Sequence, residues 1–414
     1  MIRSCVSAAV LVAALSAALS AQAPEASPVD VEIAFLEARV SRDEADPITP
    51  TRLGHAYLRR AKAAGTFGDY RKAETSFRLA LTRSAEHFGA LTGLANALAA
   101  RHAFDEAYEV GRRAIKADPD AADGYAVAGD AALEAGKVRE AAALFDRVAQ
   151  LAPGYHAHTR AANLAAARGD TRGAYAALAR AAADAPRLNL DPDRRAWPHI
   201  RAGAIAFDHG DWNRAESSYT AALAITPGSP IALEHLAELR AAQKRFAPAL
   251  ELYARAIAAD PRPEYHEAVG NIHAAEGRPD DARTAFDRAR RGYLAAVEQG
   301  DPGAYRRLAL FFAHIEPNPA EAVTWARKDF EIRTDAVTLG VLAWTLMKAG
   351  QGEEAQRIAE RAAKAAPVDA MTWQRIGGVA EEAGDVTLAR ARYARATEIN
   401  PRIKTSSPPP RGRD

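Results

Sequence analysis

Two histidine pairs are the first candidates for chemistry in this sequence. His156 and His158 lie two residues apart in "GYHAHT", where two imidazoles could approach one metal ion. His266 and His273 are seven residues apart, a spacing that places them on one face of a helix, but no third ligand accompanies them. We expect His156 and His158 to be solvent-facing or groove-facing side chains, and the sequence predicts no metal site.

Acidic and nucleophilic motifs do not combine into a catalytic set either. Residues 118–124, "DPDAADG", come near to a calcium loop, but Ala122 occupies the fifth position and Asp123 stands where glycine is required. The sequence contains no HExxH, GxxxxGK or GxSxG motif. Cys5 is the only cysteine. The sequence therefore predicts a protein that is not an enzyme and that carries no cofactor.

The overall charge argues against two classes of partner. Lys and Arg number 54 and Asp and Glu number 53, which gives a net charge of +1 over 414 residues. A balanced chain has no general electrostatic attraction for nucleic acid or for an anionic membrane surface. We therefore expect no nucleic-acid partner.

Residues 1–21 have the pattern of a secretory signal peptide. Arg3 supplies the positive start, an apolar stretch runs from Val6 to Leu19, and small residues follow at Ser20 and Ala21. The apolar stretch is shorter than the roughly 20 residues that span a bilayer. We expect cleavage after Ser20 or Ala21, no membrane span after that cleavage, and a periplasmic or secreted protein. The alternative is an uncleaved N-terminal anchor.

A pattern of small, large and helix-breaking residues recurs at intervals near 34. Its alanines are Ala73, Ala107, Ala141, Ala174, Ala215, Ala249, Ala282, Ala322, Ala355 and Ala389. After Ala141, for example, a large residue follows at Phe145 and a closing proline at Pro153, and Gly136 precedes it as a turn residue. Apolar residues three and four apart give each of two helices one apolar stripe. Each unit is predicted to be a helical hairpin that needs stacked neighbours to bury that stripe.

This pattern resembles the tetratricopeptide repeat in ten units. The resemblance implies an all-α fold, a right-handed superhelical solenoid of about ten hairpins over residues 54–401, in which the first helix of each hairpin lines a concave groove. Some units depart from the motif: Gly111, Leu294 and Ala326 stand where a large residue, a proline and an aromatic residue belong. We expect those units to pack less tightly.

The ends and two irregular spacings complete the domain organisation. Residues 29–47 are predicted to form a capping helix that Asp30 begins, and residues 402–414 a disordered tail rich in proline. Extra residues fall at 187–198 and 297–304. They are either loops or lengthened helix ends, or hinges that divide the solenoid into three blocks.

The family resemblance also implies which side chains face the groove. Asparagine at the ninth position of several units occurs in family members that bind a carboxylate, but the accompanying cations are missing here, so that mode is not supported. Acidic side chains lie in the middle units and apolar ones in the eighth and ninth; each set is either packing or a binding surface. The candidate groove residues are Asn96, Asp130, Asn163, Glu234, Glu238, Asn271, Phe311, Trp344 and Met347.

Together these features predict an exported, non-enzymatic scaffold that binds a protein or peptide through the groove. A segment with basic residues followed by an apolar anchor would match the acidic and apolar parts of the groove. The alternative is a structural accessory subunit of an envelope export or polysaccharide-secretion complex.

Overall fold

The structure is a computed structural model that describes residues 27–365 and 368–404, and these residues form helices joined by short turns. The predicted signal peptide and most of the predicted tail lie outside the described residues. The helices are α1 Pro28–Val40, α2 Ile48–Ala64, α3 Phe67–Arg83, α4 Phe88–Ala100, α5 Phe104–Ala117, α6 Ala122–Glu134, α7 Val138–Leu151, α8 Tyr155–Ala167, α9 Thr171–Asp184, α10 Pro192–Asp208, α11 Trp212–Ile225, α12 Pro230–Ala242, α13 Phe246–Ala259, α14 Pro263–Ala275, α15 Pro279–Glu298, α16 Gly303–His314, α17 Pro319–Ile332, α18 Ala336–Lys348, α19 Gly352–Lys364, α20 Ala370–Glu382 and α21 Val386–Ile399.

The helices after α1 pair into ten hairpins, α2 with α3 through α20 with α21, and each hairpin stacks on the next. The all-α solenoid of about ten hairpins that the sequence predicts is therefore confirmed. Its first hairpin begins at Ile48, somewhat before the predicted boundary at residue 54.

Small residues allow the two helices of a hairpin to approach closely. A Cβ atom at Gly129 of α6 would lie 2.5 Å from the ring of Phe145 in α7, so only glycine leaves room for that ring. At Gly203 of α10, a Cβ atom would likewise lie 2.3 Å from the ring of Tyr219 in α11. Between the helices, Gly136 has φ 76°, a left-handed conformation that glycine adopts without strain.

Helix α1 covers the start of the stack. Its Ile33 and Leu36 are buried against the first hairpins, and Asp30 forms an ion pair with Arg60 of α2 at 2.8 Å. The residue that caps α1 is Ser27, whose hydroxyl accepts from the Asp30 backbone N–H at 3.3 Å and donates to the Asp30 carboxylate at 2.7 Å. The expectation that Asp30 itself caps the helix was wrong by three residues, and the helix ends at Val40 rather than 47.

The two irregular spacings are taken up largely by helix. The residues at 187–198 include the start of α10, which has 17 residues against 13 in α8, and Asp191 caps it by accepting from Arg194 N–H at 2.9 Å. The residues near 297–304 follow a long α15 of 20 residues. At 187–198 a non-helical connection over residues 187–191 precedes the lengthened α10, and near 297–304 the extra length lies in α15; the hinge alternative stays a prediction.

The solenoid turns far enough for its last hairpin to meet its fifth. Arg402, after α21, donates from Nε to the carbonyl of Gly210 at 2.8 Å and places its guanidinium 4.1 Å from the ring of Trp212. These partners are 192 residues apart in the chain, so the end of the last hairpin contacts the turn of the fifth.

Candidate binding groove

Consecutive first helices share one inner face, and a cavity of about 490 Å³ opens on it between α6, α8 and α10. Two predicted groove residues, Asp130 and Asn163, lie in its wall, together with Trp197 from the lengthened start of α10. The full lining is Asp130, Leu133, Glu134, Tyr155, His156, Thr159, Arg160, Asn163, Asp193, Arg194 and Trp197. A mixed wall of aromatic and polar groups is typical of a ligand pocket.

An internal ion pair fixes one side of this cavity. Arg160 donates from Nε and Nη2 to the two oxygens of Asp130, at 3.0 and 2.7 Å. Burial raises the pKa of Asp130, and the guanidinium opposes that rise. Because the carboxylate already has a bidentate partner, Asp130 shapes the cavity rather than offering an unpaired charge.

The three predicted asparagines do not form one recognition set. Asn163 accepts from Arg201 Nε at 3.3 Å in the large cavity. Asn96 donates to the Thr92 carbonyl at 3.0 Å and lines a separate cavity of about 310 Å³ between α2, α3 and α4. Asn271 is exposed on α14.

Two carboxylates of the predicted acidic middle already have partners, one a tyrosine hydroxyl and the other an arginine. Glu267 accepts from the hydroxyl of Tyr293 at 2.7 Å, and Glu264 lies 3.9 Å from Arg307. Burial lowers the pKa of Arg307, but Tyr293 and the groove carboxylates outweigh that effect and raise it. This part of the groove therefore attracts a basic segment less than the sequence suggests.

Glu234 and Glu238 instead form a cluster around His235 on α12. Nδ1 of His235 is 3.2 Å from Oε2 of Glu234 and 3.7 Å from Oε2 of Glu238. Burial lowers the pKa of His235, and the two carboxylates outweigh it and raise the pKa. Burial raises the pKa of Glu234.

Two groups from neighbouring helices complete that cluster. The ring of Tyr219 on α11 stacks on His235 at 5.4 Å between centroids and 10° between planes. Asp208 at the end of α10 keeps its side chain accessible to solvent in the groove, and its pKa is raised to about 6 because the surrounding protein removes part of its hydration and Glu238 lies nearby. Asp208, Tyr219 and His235 were not predicted from the sequence, since only the packing of three helices brings them together; the one available signal was the acidic spacing around His235 in "EHLAE".

The predicted apolar part of the groove needs one correction. Phe311 is 0% exposed and lies in the core between the rings of Phe286 and Tyr293, at 6.3 and 6.4 Å between centroids. Trp344 and Met347 are half-buried on α18. Trp344 donates from Nε1 to Nε2 of His314 at 3.2 Å and stacks on that imidazole. Phe311 therefore supports the groove from behind, and Trp344 and Met347 remain on its surface.

The two histidine pairs of the sequence analysis lie apart from any metal cluster among the described residues. His158 pairs with Asp184 at 2.7 Å, His156 lines the large cavity, and His273 lies 3.8 Å from Glu276. The one grouping there whose ligand atoms could hold a metal ion is Glu234, His235 and Glu238.

Within the described part of the chain, no helix combines the length and the apolar character that crossing a bilayer requires.

Comparison with known proteins supports the repeat assignment. Two tetratricopeptide repeat models match the chain. One matches residues 206–272, the other matches residues 58–122 and 341–402, and neither describes a catalytic family. No curated protein matches the chain.

Similar solved structures have low sequence identity to the chain. One is the Cut9–Hcn1 hetero-tetramer of the APC/C, with 16% identity and a TM-score of 0.44, which covers 70% of this chain; the match spans only 55% of that chain. The human IFIT1 dimer with PPP-AAAA has 14% identity and a TM-score of 0.46, over 89% of this chain and 94% of that one. A tetratricopeptide repeat protein from Parabacteroides merdae has 16% identity and a TM-score of 0.42, over 57% and 93%.

Family models match the early, middle and late hairpins of one continuous stack. The chain is therefore an all-α solenoid that contains tetratricopeptide repeats.

Proposed function

We propose that this protein is an exported, non-enzymatic scaffold that binds an extended segment of a partner protein along the inner face of the solenoid. The observation that carries the proposal is the cavity of about 490 Å³ on that face, into which three successive first helices present side chains. A preformed concave surface of this kind binds by shape and by a few anchors, at little cost in ordering the protein.

Two tryptophans are the proposed anchor points on the groove side. Trp197 lies in the wall of the large cavity, and Trp344 lies on α18 beside Met347. Half-buried tryptophans combine a large apolar area with a hydrogen-bond donor, and such residues often carry much of the binding energy of an interface. Because several groove carboxylates are already paired, we expect the apolar anchors of the partner to count for more than its positive charge.

The test is selection of peptides from a displayed random library on the chain from Gln22 to Asp414, followed by affinity measurement with the selected peptides. We expect Trp197→Ala or Trp344→Ala to weaken binding by about tenfold or more, the range of an anchor residue. Val386→Ala is the matched control, because Val386 is an exposed apolar residue on α21, and it should leave the affinity unchanged.

Two results would contradict groove binding. Either no peptide is selected, or the selected peptides bind both tryptophan variants as tightly as the unaltered chain while circular dichroism shows that the variants are folded. The second result would favour the structural accessory role, in which end surfaces rather than the groove make the contacts.

Export is a separate part of this proposal and rests on the pattern of residues 1–21. Expression of the full chain in a bacterial host, followed by N-terminal sequencing of the periplasmic or secreted fraction, tests it. A new N-terminus after Ser20 or Ala21 supports export. Retention of Met1 on cytosolic protein contradicts it.

A further inference from the structure

The cluster on α12 has the donor atoms of a metal site. Within the described residues, one atom each from Glu234, His235 and Glu238 lies within 4.8 Å of the other two. The three residues are only partly buried, so an ion can reach them from the groove. One imidazole nitrogen and two carboxylate oxygens are a ligand set that divalent transition metals accept.

The spacing of those atoms fits one small ion. Two ligands about 2.0–2.1 Å from a tetrahedral zinc ion are about 3.3–3.4 Å apart. Nδ1 of His235 is 3.2 Å from the Glu234 oxygen and 3.7 Å from the Glu238 oxygen. The two carboxylate oxygens lie within 4.8 Å of each other, so rotation of the glutamate side chains is needed to bring all three atoms to coordination distance from a common point.

A second, independent feature lies against the cluster. Tyr219 is 0% exposed, and its hydroxyl has no hydrogen-bond partner among the described residues. Its ring is stacked on the His235 ring, and the carboxylates of Glu238, Asp208 and Glu234 act on its hydroxyl. A buried hydroxyl without a partner is costly, and a hydrogen bond to a metal-bound oxygen would satisfy it.

The charges around the cluster also favour a cation. Glu234, Glu238 and Asp208 are close together, and in residues 27–365 and 368–404 no lysine or arginine forms an ion pair with any of them. Arg307 and Arg201 act on the cluster only from a distance. Three carboxylates so placed repel one another, and the group among the described residues that can carry a positive charge between them is His235, whose proton a metal ion at Nδ1 would replace.

We infer that Glu234, His235 and Glu238 bind a divalent transition-metal ion of the zinc class, with Asp208 and the Tyr219 hydroxyl beside it and an open coordination position toward the groove. Three protein ligands and an open position leave room for water or for a donor atom from a bound partner. The site does not depend on the proposed peptide anchors, because Trp197 lies near the start of α10, far along that helix from Asp208, and Trp344 lies on α18.

The experiment is titration of Zn²⁺ into the untagged chain from Gln22 to Asp414 against a chromophoric chelator. We expect one ion per chain, and a loss of affinity of about tenfold or more in Glu234→Gln, His235→Gln and Glu238→Gln, since each removes one of three ligands. His273→Gln is the matched control. His273 also lies near a glutamate three residues later in the chain, Glu276, but within the described residues that is the one carboxylate with which it pairs. It should bind Zn²⁺ as the unaltered chain does.

Cobalt provides a readout of coordination that loose surface binding does not give. With Co²⁺ in place of Zn²⁺, we expect visible d–d absorption that His235→Gln abolishes and His273→Gln retains. Absence of stoichiometric binding in the unaltered chain, or equal binding by all three ligand variants with unchanged circular dichroism, would overturn the inference. Neither result bears on peptide binding, which the tryptophan variants test separately.

Discussion

Two groups of carboxylates lie at hairpin junctions of this solenoid and differ in what surrounds them. At the junction of α16, α17 and α18, Asp329 is 1% exposed and pairs with Arg306 and Arg333, each at 3.0 Å. Thr338 adds a hydroxyl that accepts from Arg306 at 2.5 Å and donates to Asp335 at 2.9 Å. At the junction of α10, α11 and α12, Asp208, Glu234 and Glu238 surround one histidine and have no such arginine within the described residues.

The difference separates a structural network from a candidate site. A buried carboxylate is tolerated when cations lie beside it; Oδ2 of Asp329 accepts from Arg306 and Thr338, and Oδ1 lies 3.0 Å from Arg333, so this network fixes how α17 meets α18. Burial raises the pKa of Asp335 there, but Arg306 and the hydrogen bonds from Thr338 outweigh it and keep the pKa below its usual range. At Asp208 the corresponding pKa is raised instead. The carboxylates at α12 have a histidine rather than an arginine as their partner, and because a histidine can give up its proton their oxygens can turn to an external cation.

The largest effect is expected from removal of the central carboxylate of the paired network. Asp329→Ala removes the buried carboxylate that Arg306 and Arg333 share, both of which are partly buried, and we expect it to lower the free energy of unfolding by about 3 kcal/mol. Urea unfolding followed by tryptophan fluorescence measures this, since Trp325 and Trp344 lie in the same two hairpins.

Asp105→Ala is the control for that change. Asp105 pairs with Lys137 at 2.7 Å but is exposed, and exposed pairs contribute little. If both substitutions shift the unfolding midpoint equally, the Asp329 network is not structural and the contrast between the two junctions fails.

Much of the fold could be predicted because hairpin packing depends on residue size at fixed places. The predicted large residue after Ala141 is Phe145, and the structure places its ring against Gly129. The prediction that the unit around Gly111 packs less tightly was wrong. A Cβ atom at Gly111 would come within 2.9 Å of the backbone of Ala128 in the next hairpin, so the two hairpins are in close contact there. Glycine there permits closer contact between hairpins.

The site was less predictable because its geometry depends on several helices at once. Phe311 was placed in the groove by its position in the unit, but the rings of Phe286 and Tyr293 on the long α15 enclose it. Asp208 and Tyr219 meet His235 only through the packing of α10 and α11 against α12. A repeat pattern gives the position of a residue in its hairpin and not the partners that neighbouring hairpins supply.

A smaller effect is expected from crowding the tyrosine of the unpaired cluster. In Gly203→Ala the new Cβ would lie 2.3 Å from the ring of Tyr219, which cannot move without disturbing His235. We expect the free energy of unfolding to fall by about 1–3 kcal/mol, as overpacking of a filled core does.

Gly68→Ala is the matched control for the crowding test, because nothing lies within 4 Å of the corresponding Cβ on α3. Alanine should stabilise that helix by up to about 1 kcal/mol. If Gly203→Ala stabilises the protein instead, Tyr219 is loosely held. The unpaired cluster would then lack the fixed geometry that distinguishes it in the comparison of the two junctions.

The smallest effect concerns the pH dependence of stability at the unpaired cluster. The pKa of Asp208 in the folded chain is raised from 3.8 to about 6, so the folded state holds the proton more tightly than the unfolded state. Stability from this group is therefore present at pH below about 4 and is lost as the pH rises to about 6. Asp208→Asn removes that loss, so its advantage over the unaltered chain should grow between pH 4 and 6 and stay constant above.

The gain at neutral pH should stay below about 1 kcal/mol, since Asp208 is exposed at the groove wall and water screens its charge. Urea unfolding in metal-free buffer at several pH values measures it, with the exposed Asp193→Asn as control. An advantage that does not change with pH would mean that Asp208 titrates alike in both states, so that Glu238 exerts no repulsion on it. The two junctions would then differ in whether arginines pair with the carboxylates, but not in the direction of a carboxylate pKa shift. The attraction for a cation at α12 would then rest on ligand geometry alone.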